Sequence, residues 1–343
     1  MTDVDVVVVG AGLAGSAAAR ALARTGSDVV LLERFELGHS HGSSHGTSRI
    51  FRFSYDEEHF VRDAMEALRL WRELEDEVGE RLIVTTGGLD HGDIDANLRA
   101  LRACGAETEV VDGAAASERW PAYTFPSDTR VLFQPDAGYA RADRCLLAFV
   151  TSATSNGAEF RTNCRVRALK QVGEQAVIDT DKETISARVA VVTAGGWVNE
   201  LIEPLGRPLP VEVTRQTVAY FEMNDAISFP TLVDWTRPPF YSLPAPGIGV
   251  KVGAHHVGPI TDPNEPGIVD ESTLESITAW VRTRYPFAGR DPVKAETCIY
   301  TSTSDENFIF ERRGPFVIGS ACSGHGFKFG PLTGRRLADL AAV

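Results

Sequence analysis

The sequence predicts an α/β protein in which a parallel sheet covered by helices is interrupted by a second, antiparallel sheet. Three observations predict it. The chain opens on a β-branched run that ends in a glycine turn and an alanine-rich helix. A second apolar strand meets a glycine turn near residue 195. Segments between residues 211 and 260 alternate apolar and polar positions, as half-buried antiparallel strands do.

The opening run, VDVVVVG at residues 4–10, carries no charge after Asp5 and reads as a strand buried on both faces. AGLAGSAAARALARTG follows and is helical, and the next strand, DVVLLE, ends at Glu33. The junction Gly10-Ala11-Gly12-Leu13-Ala14-Gly15 is a GxGxxG turn. Gly10 permits the tight turn, Gly12 lets the backbone approach a pyrophosphate, and Gly15 lets helix and strand pack closely. The helix N-terminus offers partial positive charge, and Glu33 can accept from ribose hydroxyls. The whole unit is a Rossmann-type dinucleotide site, for FAD or NAD alike.

Next comes HSHGSSHGTSRIFR, residues 39–52. His39, His41 and His45 could suggest a metal, but the loop is rich in serine and glycine and offers no carboxylate or cysteine partner. No metal is expected, and His39 and His41 read as solvent-exposed. EHFVRDAMEALRLWRELEDEVG then places Phe60, Val61, Ala64, Met65, Leu68, Trp71, Leu74 and Val78 in a helical stripe. Residues 86–130 read as short strands and turns. ARVAVVTAGGWVNEL, 187–201, is another buried strand for the nucleotide-binding sheet. TRQTVAYFEM (214–223) and FYSLPAPGIGVKVGAHH (240–256) read as antiparallel strands, ESTLESITAWVRTRYP as a helix stopped by Pro286, and residues 314–340 as strand, glycine loop and helix.

The resulting division is a discontinuous FAD- or NAD-binding domain of residues 1–85, 131–210 and 295–343, and a substrate domain of residues 86–130 and 211–294. At 343 residues and 43% hydrophobic composition the chain can fill two cores. A net charge of −13 argues against a nucleic-acid or membrane-surface binder. The acidic start MTDVD does not resemble a signal peptide, so a cytoplasmic protein is expected. Five scattered cysteines without a CxxC argue against a disulfide framework or zinc knuckle.

The motifs VVVVGAGLAGSAAA, GSSHGTSRIFR, VVTAGGWV, CIYTSTSDENFIF and SGHGFKF together resemble the FAD-dependent amine oxidases of the monomeric sarcosine oxidase and N-methyltryptophan oxidase group, within the D-amino-acid oxidase-like class. The resemblance runs from the first strand to the last helix. The group implies FAD, bound through a thioether from Cys298. It implies hydride transfer from the C–H beside nitrogen of a secondary amine, an N-methyl or cyclic amino acid, to flavin N5. The imine then hydrolyses, and O2 is reduced to hydrogen peroxide. His45 and Arg49 match residues beside the flavin ring, Arg52 and Lys328 match cations for the substrate carboxylate, and Lys251 matches a lysine that assists the reaction with oxygen. Tyr241 and His255 match residues of the substrate pocket. Arg34, Ser44, Val166, Gly195, Tyr300, Gly324, Gly326, Phe327 and again Lys328 are expected at the cofactor.

Without the resemblance, each of these side chains has a plainer reading. Cys298 would be a buried thiol, Lys328 a solvated helix-start lysine, Lys251 a residue on the strand's solvent face, and Tyr241 and His255 half-buried sheet residues. The group implies a monomer that works on small molecules. Its members continue beyond RRLADLAAV, where this sequence ends. Three other readings stay open here: a dehydrogenase using another electron acceptor, a flavin monooxygenase or halogenase, and a flavin-holding protein without catalysis. The second is disfavoured by the lack of another GxGxxG. The third is disfavoured by the joint presence of His45, Arg49, Arg52, Lys251 and Lys328.

Overall fold

A computed structural model describes residues 2–206, 208–224, 227–320 and 322–342. The opening strand, Thr2–Val9, lies inside a sheet of eight strands. Val29–Leu32 runs parallel on one side, with Val8 opposite Leu31, and Thr184–Val192 runs parallel on the other, with Val8 opposite Val191. Phe316–Ser320 pairs in parallel with the C-terminal half of Thr184–Val192, while Gln175–Thr180 pairs antiparallel with its N-terminal half. These strands are β-branched and apolar because both faces are covered. Val6, Val8 and Val191 pack with Ala18, Ala19 and Leu22 of the helix Leu13–Arg24 and with Leu337 of the helix Gly330–Ala341, and Val7, Val9 and Val192 enter a second core on the opposite face.

The glycine turn obeys two steric demands. Gly10 has φ of +96°, and a Cβ there would stand 2.7 Å from the carbonyl oxygen of Thr193; a Cβ on Gly15 would stand 1.9 Å from the carbonyl oxygen of Gly10. The turn is therefore clamped between the first helix and the neighbouring strand end. Gly10→Ala is expected to lose more than the roughly 1–2 kcal/mol that left-handed backbone costs an L-residue, because a backbone oxygen must also move. Thermal unfolding at the wild-type Tm would contradict this.

The second sheet also has eight strands, in the order Lys294–Ser302, Glu212–Glu222, Gly249–Ala254, Phe240–Ala245, Thr231–Asp234, Gly88–His91, Arg130–Gln134, Glu109–Asp112. Its neighbours are antiparallel except for Thr231–Asp234 with Gly88–His91. The expected domain limits at 131 and 295 cut through this sheet. Arg130–Gln134 pairs with Gly88–His91, and Lys294–Ser302 pairs with Glu212–Glu222 over nine residues from Lys294–Tyr220 to Ser302–Glu212. Neither edge carries a composition change, so the reading of the sequence could not see it.

Residues 86–130 also differ from the expected strands and turns. They contain the helices Asp95–Ala103, which buries Leu98 and Leu101 one turn apart, and Gly113–Arg119, capped by the Asp112 side chain accepting from Ala115 N. The amphipathic helix Glu58–Val78 buries Phe60, Val61, Ala64, Trp71 and Leu74 as read, with Met65, Leu68 and Val78 half-buried at the margin. It also buries Glu75, whose carboxylate accepts from Leu82 N and Ile83 N and pairs with Arg72 and Arg81. No helix among the described residues is long and apolar enough to cross a membrane.

Candidate active site and cofactor cradle

A cavity of about 1100 Å³ runs from the glycine turn at Gly10–Ala14, past Glu33 and the 42–49 loop, to the antiparallel sheet at Tyr241 and Lys251. Pockets for a single small ligand span roughly 300–1,000 Å³, so this space suits a dinucleotide with a small molecule beside it. All the residues expected at the site line it except Gly15, which is buried against Gly10. The role of Gly15 is packing, not contact with a ligand.

At the turn, Ala11 N donates to Glu33 Oε2 at 2.9 Å, and Leu13 N donates to Ser44 Oγ at 3.0 Å. Ser44 thus caps the first helix from another segment, a task Gly12 at the N-cap cannot perform. Glu33 is buried at the strand end, and its other oxygen lies 3.4 Å from His39 Nε2. Hydrogen bonds and His39 outweigh burial and hold the Glu33 carboxyl below its ordinary value. His39 is therefore half-buried and engaged, contrary to the expectation of a solvated loop residue, whereas His41 is exposed and stacks on Phe35 with centroids 4.3 Å apart. Arg34 lies over Phe35 and Trp197 and donates to Asn264 Oδ1 at 3.0 Å. Val166 begins an edge strand, and Gly195 turns with φ of +54° into the short 3-10 helix Gly195–Trp197.

The histidine loop is held from within. Arg49 donates to the carbonyls of Ser43 at 2.9 Å and His45 at 2.6 Å. Burial and Arg49 push the His45 imidazole down to about 4, so it is neutral, and its Nε2 is buried without a partner. Lys251 lies in the strand Gly249–Ala254, every residue of which is buried, so the strand has no solvent face for it. Its nearest carboxylate is Glu296, at 3.9 Å. Burial, then Arg49, pushes the Lys251 ammonium down to about 7. Tyr220 and Lys294 hold Glu296 by hydrogen bond and ion pair.

Cys298 is buried in Lys294–Ser302, opposite Gln216, and burial raises its thiol above the ordinary value while Arg49 and Lys251 oppose that rise. Tyr241 pairs across the hairpin with Gly253, and burial pushes its phenol well up. Tyr300 packs so closely that a Cβ on Gly324 would meet its ring at 2.4 Å. Gly326 opens the 3-10 turn Gly326–Phe329 that leads into the last helix, and the Phe327 ring lies 5.8 Å from the Arg49 guanidinium.

The other end of the cavity holds a cation pair. Arg52 lies 4.5 Å from the Tyr55 ring and 5.2 Å from that of Trp235, and its NH1 is buried without a hydrogen-bond partner. Lys328 is buried and donates to Tyr55 Oη at 2.6 Å and to the His325 carbonyl at 2.8 Å. It is not a solvated lysine. Burial and Arg52 push its ammonium well below the usual lysine range.

Tyr55 in turn meets His325 Nδ1 at 3.0 Å, and His325 Nε2 meets the Glu306 carbonyl at 3.0 Å. The carbonyl can only accept, so Nε2 carries the proton and Nδ1 accepts from Tyr55. Trp235 Nε1 donates to the buried Asp90 at 2.8 Å. Tyr55, Trp235, Asp90, Glu296 and His325 were not singled out from the sequence. Only His325 had a signal, standing between the two glycines of SGHGFKF.

These features fit FAD. The glycine turn has its helix end toward the cavity, an acid stands at the second strand end, and two buried polar atoms lining the cavity, His45 Nε2 and Arg52 NH1, have no partner within the protein. The chain matches the model of the FAD dependent oxidoreductase family over residues 5–340. It is 31% identical to the monomeric sarcosine oxidase of Bacillus sp. (strain B-0618), over 99% of this chain and 92% of the relative. It is 30% identical to the N-methyl-L-tryptophan oxidase of Yersinia pestis (strain Pestoides F), over 99% and 95%. The solved structure of NikD, described as an unusual amino acid oxidase essential for nikkomycin biosynthesis, covers 100% of this chain and 94% of its own at 29% identity, with a TM-score of 0.92. The chain therefore belongs to the FAD dependent oxidoreductase family, among relatives that include the sarcosine and N-methyltryptophan oxidases.

Proposed function

We propose that this protein oxidises secondary amines that carry a carboxylate, N-methyl or cyclic amino acids, with O2 as acceptor. The carrying observation is the pair Arg52 and Lys328, a half-buried guanidinium and a buried lysine that both lie against Tyr55, with the Arg52 NH1 lacking a partner. FAD, when bound, accepts hydride from the C–H beside nitrogen and passes two electrons to O2, giving hydrogen peroxide. The chain's residues do the rest. Gly10, Gly12 and Glu33 hold the dinucleotide end. Arg34, Ser44, Val166 and Gly195 enclose it, and Gly324, Gly326 and Phe327 bring backbone and ring to the other end. Arg52 and Lys328 orient the carboxylate, which fixes where the reacting C–H points.

His45, kept neutral, can donate or accept without adding charge, while Arg49 locks its loop. Tyr241, Tyr300 and His255 wall the substrate side and exclude water. Lys251 supplies positive charge where oxygen is reduced. The cofactor domain is proposed as the parallel sheet with its helices, and the substrate domain as the eight-stranded antiparallel sheet. The protein is proposed to act as a monomer in the cytosol. An oxygen-electrode screen of N-methyl and cyclic amino acids tests the reading. Oxygen uptake matched by an equal amount of peroxide is expected, and flavin bleaching without oxygen uptake would reject the oxidase.

Cys298 is proposed to carry the flavin by a thioether, on the strength of its place in the cavity wall beside two cations. Acid precipitation of the FAD-loaded protein is expected to give a yellow pellet, and a colourless one from Cys298→Ser. Flavin wholly in the wild-type supernatant would refute the linkage. Cys298→Ser is also expected to turn over slowly, because a thioether raises the flavin's potential.

A further inference from the structure

At the rim of the same cavity, His255, His256 and Glu306 each bring one ligand atom to within 4.8 Å of the others. The histidines follow the strand Gly249–Ala254, and Glu306 comes from the turn between Lys294–Ser302 and Ile309–Arg313. His256 Nε2 lies 3.5 Å from Glu306 Oε1, and the His255 and His256 rings meet edge to face with centroids 4.1 Å apart. Two of the three stand on left-handed backbone, His256 at φ +55° and Glu306 at φ +57°. That conformation is rare for residues with side chains, and it aims both side chains from separate loops at one point. The Glu306 carbonyl is fixed by His325 at 3.0 Å.

We propose that His255, His256 and Glu306 bind one divalent cation of the zinc type at the cavity mouth, and that its binding closes the pocket to substrate. Two imidazoles and one carboxylate form a borderline donor set, which suits zinc rather than magnesium or calcium, whose sites are built from oxygen. Ligand bonds of about 2.0–2.2 Å require the three atoms to draw together, and His256 and Glu306, both exposed, can rotate to do so. Three protein ligands leave a fourth position for water or a carboxylate. These residues are separate from His39, His41 and His45 of the histidine loop. The closure half rests on the oxidase reading above; the binding half does not.

The test uses FAD-loaded protein, stripped with a chelator, then equilibrated with zinc chloride and separated by ultrafiltration for metal analysis. One zinc per chain is expected, with affinity lowered at least tenfold in both His256→Ala and Glu306→Gln and unchanged in Cys104→Ser and Cys322→Ser. A retained flavin spectrum and Tm show that the variants are folded. Equal zinc affinity in wild type and both folded variants would overturn the site. In the activity arm, zinc is expected to inhibit competitively with the amine, with both rim variants resistant and as active as wild type without zinc. Zinc binding without inhibition of an active enzyme would overturn the closure. Lack of turnover with every amine before zinc is added would count against the oxidase reading instead, and the binding arm would still decide the site.

Discussion

Lys251→Met is expected to be bleached by substrate under anaerobic conditions at nearly the wild-type rate, and to reoxidise in air about 10²–10³-fold more slowly. The two half-reactions separate because they place charge differently. Reduction of O2 begins by putting an electron on a neutral molecule, and the anion appears in a dry cavity. There a fixed ammonium stabilises it more strongly than one in water could. Oxidation of the amine creates no anion at that spot.

The strand Gly249–Ala254 makes Lys251 suited to this role, since it is buried throughout and holds the Nζ 3.9 Å from Glu296, too far for a hydrogen bond that would quench it. Burial and Arg49 set its titration near 7, so the cation is present below that pH and lost above it. Wild-type reoxidation is therefore expected to slow as pH rises through about 7, and that limb is expected to vanish in Lys251→Met. Stopped-flow measurement of each half-reaction across pH decides the matter. Reoxidation of the variant at the wild-type rate would move the role to another cation, with Arg49 the next candidate.

Lys251 is legible only through the resemblance, since the residues alone put it on a solvent face that the wholly buried strand lacks, and the glycine turn is legible because its motif is local, although Gly10 itself is held against the distant Thr193. The parallel strands could be read from their uninterrupted β-branched runs for the same reason. What stayed hidden depends on contacts between distant segments. Tyr55 and His325 meet across 270 positions, and Asp90 meets Trp235 across 145. In sequence Tyr55 is one aromatic among many, and Asp90 is one acid in a short strand, Gly88–His91, that carries no motif.

The two misplaced domain limits have the same origin. Lys294–Ser302 carries the cavity-lining Cys298 and Tyr300 and yet is hydrogen-bonded along its length to the antiparallel sheet. A residue that faces the cofactor need not belong to the cofactor's sheet. His39 is engaged because its carboxylate partner, Glu33, comes from the end of the preceding strand and not from the histidine loop, which offers none of its own.

Arg52→Ala is expected to lose roughly ten- to a hundredfold in kcat/KM for amino-acid substrates. One charge-assisted hydrogen bond is worth about 1.5–3 kcal/mol, and tenfold corresponds to about 1.4 kcal/mol. Arginine suits the place because its planar fork can meet both carboxylate oxygens, and the Tyr55 and Trp235 rings restrict the fork's orientation before substrate arrives. Lys328 adds a second basic group, hydrogen-bonded to Tyr55 Oη. Burial and Arg52 press its ammonium well below the lysine range, and an arriving carboxylate reverses part of that pressure. Carboxylate binding is therefore expected to draw a proton onto Lys328, so affinity for a carboxylate inhibitor falls as pH rises. In Arg52→Ala the neighbouring like charge is gone, Lys328 regains protons more readily, and the pH dependence shifts upward even as affinity drops. Calorimetry in two buffers of different ionisation enthalpy reads the proton uptake directly. Carboxylate inhibitors that bind Arg52→Ala as tightly as wild type would show that the cation pair does not hold a carboxylate, and the substrate would then be a simple amine.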